Sequence, residues 1–476
     1  MRRIITTIKV PILFLFLYSL ANAQVQTFTI EDAIQTALEN NTDIKIAVMN
    51  VKKANASVSE AFGYALPSLD FSAGFSHYLK KPKMSFPDFE ALLTNATYSI
   101  LFDENVIPRD ESKYRDTKNI LQSFVQANNY QTSLQLTQTL FSSAVFRGIG
   151  ASRIYLNLAE EELKNKVSET VLDVQKAFYG VLLIKELLKI AQESLVNAED
   201  NLENANALFK QGMVSEFDRL QAEVQMENIR PRVSQIENNL INAKNVFKIV
   251  LGLDQQMEID ASGDVTFEKL GSLVEEDLID QAIKSNYSLK TLELKKQVDE
   301  AFIDLDRAEY WPNLAAFGNY IYAGTSDQWN FQNYSSLNVG LSLSINIFKG
   351  GQTNSRVEQS TITYLQTEEQ LNRLKDLIKS QVISKIIELK RVMDLLDAQE
   401  KNVQLAQRAY DIAVVKYREG TATQLEVRYA DLSLSQAKIN RLESLHSYIV
   451  TKLELDQLLG QTDKSYIDVF KDVNEE

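Results

Sequence analysis

The stretches FKQGMVSEFD (209–218) and YREGTATQLE (417–426) hold the residues best placed for chemistry. Each reads aromatic, two polar residues, glycine, five residues, acid, and the two lie 208 residues apart. The acids are Asp218 and Glu426. Near the start of a helix a carboxylate is also an ordinary solvated residue, because the helix dipole favours it there. Catalysis has little else to draw on. The two histidines are His77, in a predicted strand, and His446, in a predicted long helix. Neither has a partner at metal-ligand spacing. No Ser-His-Asp set, glycine-rich catalytic signature or P-loop occurs. There is no cysteine, hence no disulfide, thiolate metal site or lipid-modified cysteine. The residues therefore predict a protein that is not an enzyme and carries no cofactor and no metal.

The elements that would position these acids sit in an exported chain. The first residues, MRRIITTIKVPILFLFLYSLANAQ, show a basic start, an apolar run and the small-x-small triplet Ala21-Asn22-Ala23. That pattern predicts a secretory signal peptide over 1–23. The apolar run falls short of the ~18 residues of a membrane anchor. The formal charge of −14 argues against nucleic acid as a partner.

The chain repeats itself. EDAIQTALENNTDIK near residue 31 matches EDLIDQAIKSNYSLK near 276, at an offset of 245 that holds to Pro67 and Pro312. LTQTLF at 136–141 then resembles LSINIF at 343–348, and an offset of 208 pairs Gly212 with Gly420 and Leu251-Gly252 with Leu459-Gly460. Two structural repeats follow, 24–270 and 271–476. The first has a helix, strands about 67–79 and 128–141, and a helical hairpin over 144–251. The second has a helix, strands about 311–323 and 335–348, a hairpin over 352–459 and a C-terminal tail.

The hairpins read as coiled coil. Leu188, Ala191, Leu195, Ala198, Leu202, Ala205 and Phe209 keep a strict 3-4 spacing. Pro231 inside such a helix should kink it, at a cost of roughly 3 kcal/mol. The predicted strands alternate. From Leu337 to Ile347 every odd position is apolar, and the even ones are Asn338, Gly340, Ser342, Ser344 and Asn346. Ten-residue alternation fits a transmembrane β-strand. A soluble antiparallel sheet with one buried face would alternate too. Four strands cannot close a barrel, and an open edge cannot face lipid. Transmembrane strands would therefore require several chains; three would supply twelve strands.

The duplicated helix–strand–strand–helix–helix order, Pro67 and Pro312 before the strands, LSINIFKGG at 343–351 and the two Gly tips resemble the TolC-like outer-membrane efflux family. The resemblance implies a mainly α fold with a membrane β-barrel. A long antiparallel coiled-coil α-barrel would join four β-strands per chain, completing a twelve-stranded barrel as a homotrimer. It implies a place in the outer membrane, with the helical part in the periplasm. The protein would be the exit duct of a tripartite efflux or type I secretion system. Its partners would be a periplasmic adaptor, an inner-membrane pump of RND, ABC or MFS class, and outer-membrane lipid.

By the same resemblance Gly212 and Gly420, with Phe209 and Tyr417, mark hairpin tips on which adaptors dock. Asp218, Tyr417 and Glu426 correspond to a periplasmic gate. Ala422 and Tyr429 stand where some relatives carry a gate-linking Arg and a second pore Asp. The insertion Lys80–Asn129, with a much shorter counterpart near 324–334, would be a long extracellular loop. The competing reading is a periplasmic structural or adaptor coiled-coil protein without a pore. It accounts for the heptads but not for the four alternating segments.

Overall fold

The computed structural model describes residues 25–264, 271 and 273–471, so the signal peptide predicted over 1–23 lies outside the described residues. The elements run β1 (Gln26–Phe28), α1 (Ile30–Asn40), α2 (Thr42–Gly63), β2 (Ser68–His77), β3 (Met84–Pro87), α3 (Phe89–Asp103), β4 (Asn119–Gln122) and β5 (Asn128–Ser142). The first hairpin follows as α4 (Ser143–Lys210) and α5 (Glu216–Leu251), then β6 (Ile259–Ala261). The second half has α6 (Glu275–Ser285), α7 (Tyr287–Arg307), β7 (Asn313–Ser326), β8 (Gln332–Ser344), α8 (Gln352–Arg418), α9 (Gln424–Leu458) and the short α10 (Lys464–Asp468).

Space divides the chain differently from the repeats. One unit takes residues up to Asn55, Ile154–Val298 and Thr363 onward; the other takes Ala56–Arg153 and Asp299–Ile362. Each repeat thus gives most of its helical hairpin to the first unit and its two long strands to the second. The reason is pairing: β5 of the first repeat bonds to β7 of the second along nearly their whole length.

The helical unit has the same core twice. In the first repeat Val167, Val174, Phe178, Phe247 and Leu251 pack with Ile34, Leu38, Ile44 and Val51. In the second, Val382, Ile386, Leu455 and Leu459 pack with Ala282 and Leu289. A third cluster sets Leu188, Ala191, Leu195, Ala198 and Leu202 of α4 against Met226, Ile229 and Val233 of α5. That is the hairpin seam the 3-4 spacing predicts.

The single helix predicted at the head of each repeat is two helices. Asn41 ends α1, and Asn286 ends α6. The Asn41 side-chain amide donates to the Val250 carbonyl at 2.8 Å, and its oxygen accepts from the Asp43 N–H at 2.8 Å. Asn286 repeats the pattern, donating to Leu458 O at 3.1 Å and accepting from Leu289 N–H at 3.1 Å. Each asparagine starts one helix and receives the end of another. Beside it, Gly252 (φ +72°) and Gly460 (φ +65°) turn the chain out of α5 and α9 in the left-handed region. A Cβ on Gly252 would overlap the Asn40 carbonyl, and one on Gly460 the Ser285 carbonyl. Glycine is thus required twice over at each site, by dihedral and by contact.

Pro231 lies inside α5, and the helix continues through it. Pro231 and Glu227, whose carbonyl loses its partner, are both on the exposed side, where water can serve the lost bond. Between hairpins, Glu454 of α9 takes Lys176 of α4 at 2.5 Å and also pairs with Lys385 of α8. Burial opposes ionisation of Glu454, but bonds and attraction from the two lysines outweigh it and hold its carboxyl below the usual range.

The main sheet of the second unit is antiparallel, in the order β2-β5-β7-β8. β8 ends at Ser344, opposite Asn313 where β7 begins. The sequence alternation runs on to Ile347, but the partner strand has run out, and Gly350 and Gly351 take positive φ. On the other half, β5 passes into α4 without an intervening residue. The segment predicted as a long loop is folded: β3 pairs with β4, and α3 lies between them in sequence.

Gly460→Ala should lower the thermal stability of detergent-solubilised protein by about 2 kcal/mol or more. Gly180→Ala, in α4 with open space around it, should instead gain roughly 0.5–1 kcal/mol. Melting followed by helical circular dichroism compares them; equal effects would remove the special role of the turn. Because its folded pKa is depressed, Glu454 contributes stability above the ordinary glutamate pKa of about 4.3, lost as pH falls through the folded value. Glu454→Gln should therefore cost roughly 1 kcal/mol at pH 7 and nothing once the wild-type carboxyl is protonated.

Candidate functional site

Both glycine interruptions are helix ends of one design. At the first, Gly212 (φ +70°) donates to Phe209 O at 2.9 Å and Met213 N–H to Leu208 O at 2.9 Å. At the second, Gly420 (φ +72°) donates to Tyr417 O at 3.0 Å and Thr421 N–H to Lys416 O at 2.9 Å. These paired bonds close a helix on a left-handed residue. Three residues after each glycine comes the cap of the next helix, Ser215 for α5 and Thr423 for α9.

The caps determine what the acids touch. The Ser215 hydroxyl donates to Asp218 Oδ2 at 2.7 Å and accepts from the Asp218 N–H at 3.2 Å. The same carboxylate oxygen accepts from the Ser215 N–H at 3.1 Å. Thr423 and Glu426 form a looser version, with hydroxyl to carboxylate and N–H to hydroxyl both 3.3 Å. Asp218 and Glu426 are therefore the third residues of their helices, where acids satisfy free N–H groups and meet the positive end of the dipole. The spacings S-x-x-D and T-x-x-E stand in the sequence as capping signals. The hydroxyl residues between glycine and acid, Ser215 and Thr423, tie those acids to the helix starts.

The aromatics differ. Phe209 is exposed, with the Arg219 guanidinium 5.9 Å over its ring. Tyr417, its counterpart by offset, is only 6% exposed, so its ring is held inside the bundle rather than on an outer face. The Tyr417 hydroxyl is buried with no hydrogen-bond partner among the described residues. Burial, then the nearby Asp218, push that phenol upward, so it is a neutral donor at any physiological pH. No bond joins it to Asp218, whose Oδ2 is engaged by Ser215.

Farther along α9, Asp431 is buried and was not singled out by sequence. It accepts from Asn197 at 3.0 Å and Ser194 at 3.2 Å, both on α4. Burial pushes its carboxyl upward, and the two bonds offset part of that. Lys438 reaches Glu193 at 2.9 Å just beyond. These contacts tie the two hairpins together behind the tips. A buried acid on a helix face carries no sequence signal apart from its neighbours. Among the described residues no group of three or more His, Asp or Glu could hold a metal ion. None of the described helices is long and apolar enough to cross a membrane.

Ser215→Ala should destabilise the start of α5 by about 1 kcal/mol, and Asp218→Ala by a similar amount. Amide hydrogen exchange at 215–219 measures it. Loss of protection in Asp218→Ala but not Ser215→Ala would mean the acid acts through some contact other than the cap.

The family model described as "Outer membrane efflux protein" matches residues 110–253 and 278–461, which is one stretch in each repeat. The outer membrane protein TolC of Salmonella enteritidis is 23% identical over 355 residues, 73% of this chain and 71% of that one. The cation efflux system protein CusC of Escherichia coli O157:H7 is 22% identical over 456 residues, 92% and 88% of the two chains. The Campylobacter jejuni CmeC outer membrane channel shares the fold, with a TM-score of 0.71 at 16% identity over 94% of this chain and 89% of that one. With both repeats matched in order, this chain belongs to the outer membrane efflux protein family and is a channel protein of the outer membrane.

Proposed function

We propose that three copies of this chain assemble into one exit duct. Each copy adds its four strands to a shared twelve-stranded barrel, and the hairpins extend into the periplasm. The observation that carries this reading is the sheet itself. Strands β2 and β8 are both edges, and the row Leu337, Val339, Leu341 and Leu343 on β8 is 69–78% exposed. An apolar row beside an unpaired edge is a liability in water. In a bilayer the row faces lipid, and β8 of one copy pairs with β2 of the next, which leaves no edge.

On this reading the tips around Gly212 and Gly420, with Phe209 exposed beside the first, are the docking points for a periplasmic adaptor. The adaptor links the duct to an inner-membrane pump of RND, ABC or MFS class. Two tips per chain give six similar points, a better match to a ring of adaptors than three. Asp218, Tyr417 and Glu426 would serve the closed state. The unpartnered Tyr417 hydroxyl supports this, since a buried donor gains by finding an acceptor on a neighbouring copy. Ser215 and Thr423 compete for the two acids, so opening and capping draw on the same carboxylates.

The test is extraction and conductance. The protein should leave outer membranes only with detergent and run as three chains. In planar bilayers it should give small, rarely open channels. Asp218→Ala combined with Tyr417→Phe should raise the mean conductance severalfold. Release by carbonate, or no channel, would defeat the barrel and favour a periplasmic coiled-coil protein.

A further inference from the structure

The segment between β2 and β5 is a small folded body. Asn95 on α3 and the backbone of Arg115 exchange two bonds, 2.8 and 2.7 Å. Arg115 also reaches Glu90 at 2.7 Å. Phe102 packs edge-on against Tyr114, with centroids 5.9 Å apart. Asp327, in the β7–β8 turn, holds the root of the segment by pairing with Lys81 and accepting from Ala127 N–H at 2.8 Å. The segment and that turn share the end of the sheet opposite the four long-helix junctions.

One face of α3 is unaccounted for. Ala91 and Phe102 are buried. On the other side Phe89, Leu93 and Ile100 form a stripe at helical spacing, with Leu93 69% and Ile100 63% exposed. A helix apolar on both sides is a helix with two partners, and a single chain supplies one. We propose that the second partner is another copy of this chain: the α3 stripe packs on the neighbouring copy's insertion, and three such contacts ring the external mouth of the duct.

Two observations select that occupant. First, α3 contains Glu90 and Asp103 and no Lys or Arg. A helix lying on an anionic lipid surface carries basic residues on its polar face, so lipid is the weaker fit. Second, the segment grows from β2, an edge strand. On the duct reading, on which this inference rests, that edge is where the neighbouring copy pairs, so its insertion is the nearest large surface. Over residues 80–127 seven Lys and Arg balance seven Asp and Glu, although the whole chain carries −14. A neutral segment lets copies converge without mutual repulsion. Leu121 and Phe124, exposed on the same segment, offer the apolar counterpart that a head-to-tail ring contact requires.

The absence of cysteine makes the test clean. Ile100→Cys and, separately, Leu93→Cys are labelled with a benzophenone maleimide in intact outer membranes and irradiated, with Ser112→Cys as the control. Denaturing gels should show much of the Ile100 and Leu93 samples at two- and three-chain masses, and the Ser112 sample at one. Intact trimers without self-adducts would overturn the inference and leave the duct reading standing. So would adducts confined to lipid or to a different protein. A protein that never forms trimers would remove both.

Discussion

The architecture of the helical unit hangs on one junction made twice: an asparagine amide bonded to the last turn of a long helix, with a left-handed glycine packed under it. Asn41 with Gly252, and Asn286 with Gly460, fix where α5 and α9 end and where α2 and α7 begin. A hairpin of such long helices has many near-equivalent registers along its seam, since small apolar residues slide past one another at little cost. An amide that must find one particular carbonyl removes that degeneracy. The two large clusters, around Phe247 and Leu251 and around Leu455 and Leu459, form next to these junctions.

Away from the junctions the same unit becomes more polar. Ties between hairpins there are made by Asp431 with Ser194 and Asn197, and by Lys438 with Glu193. The apolar cluster in the first hairpin shrinks to Ala198, Met226, Ile229 and Val233 with their α4 partners. Hydrophobic contacts are tolerant of direction, while charged and amide pairs are specific and solvent-sensitive.

The tips show how one residue can be legible for two reasons. Asp218 and Glu426 were visible as a repeated glycine-to-acid spacing, and each proves to cap the helix that follows. A cap and a gate both ask for an acid near a helix N-terminus, so the residue type alone does not separate them. In this structure Asp218 is committed to Ser215, and among the described residues the Tyr417 hydroxyl has no hydrogen-bond partner.

The amino-acid sequence alone determined the duplication, the hairpin seams, the four alternating strands and the two glycine turns. Each is a periodicity or spacing over a few residues, and local backbone geometry reads such patterns directly. Tertiary structure decided the rest. Asn41 meets a carbonyl 209 residues away, and nothing near Asn41 announces that partner. Asp431 is buried because α4 arrives beside it. β8 stops at Ser344 because β7 has no residue left to pair, though the alternation continues. The insertion reads as polar and proline-broken, yet Asn95 and Arg115 fold it into a body. In each case the deciding contact joins residues distant in sequence, and burial or pairing at that range leaves no mark on the local pattern.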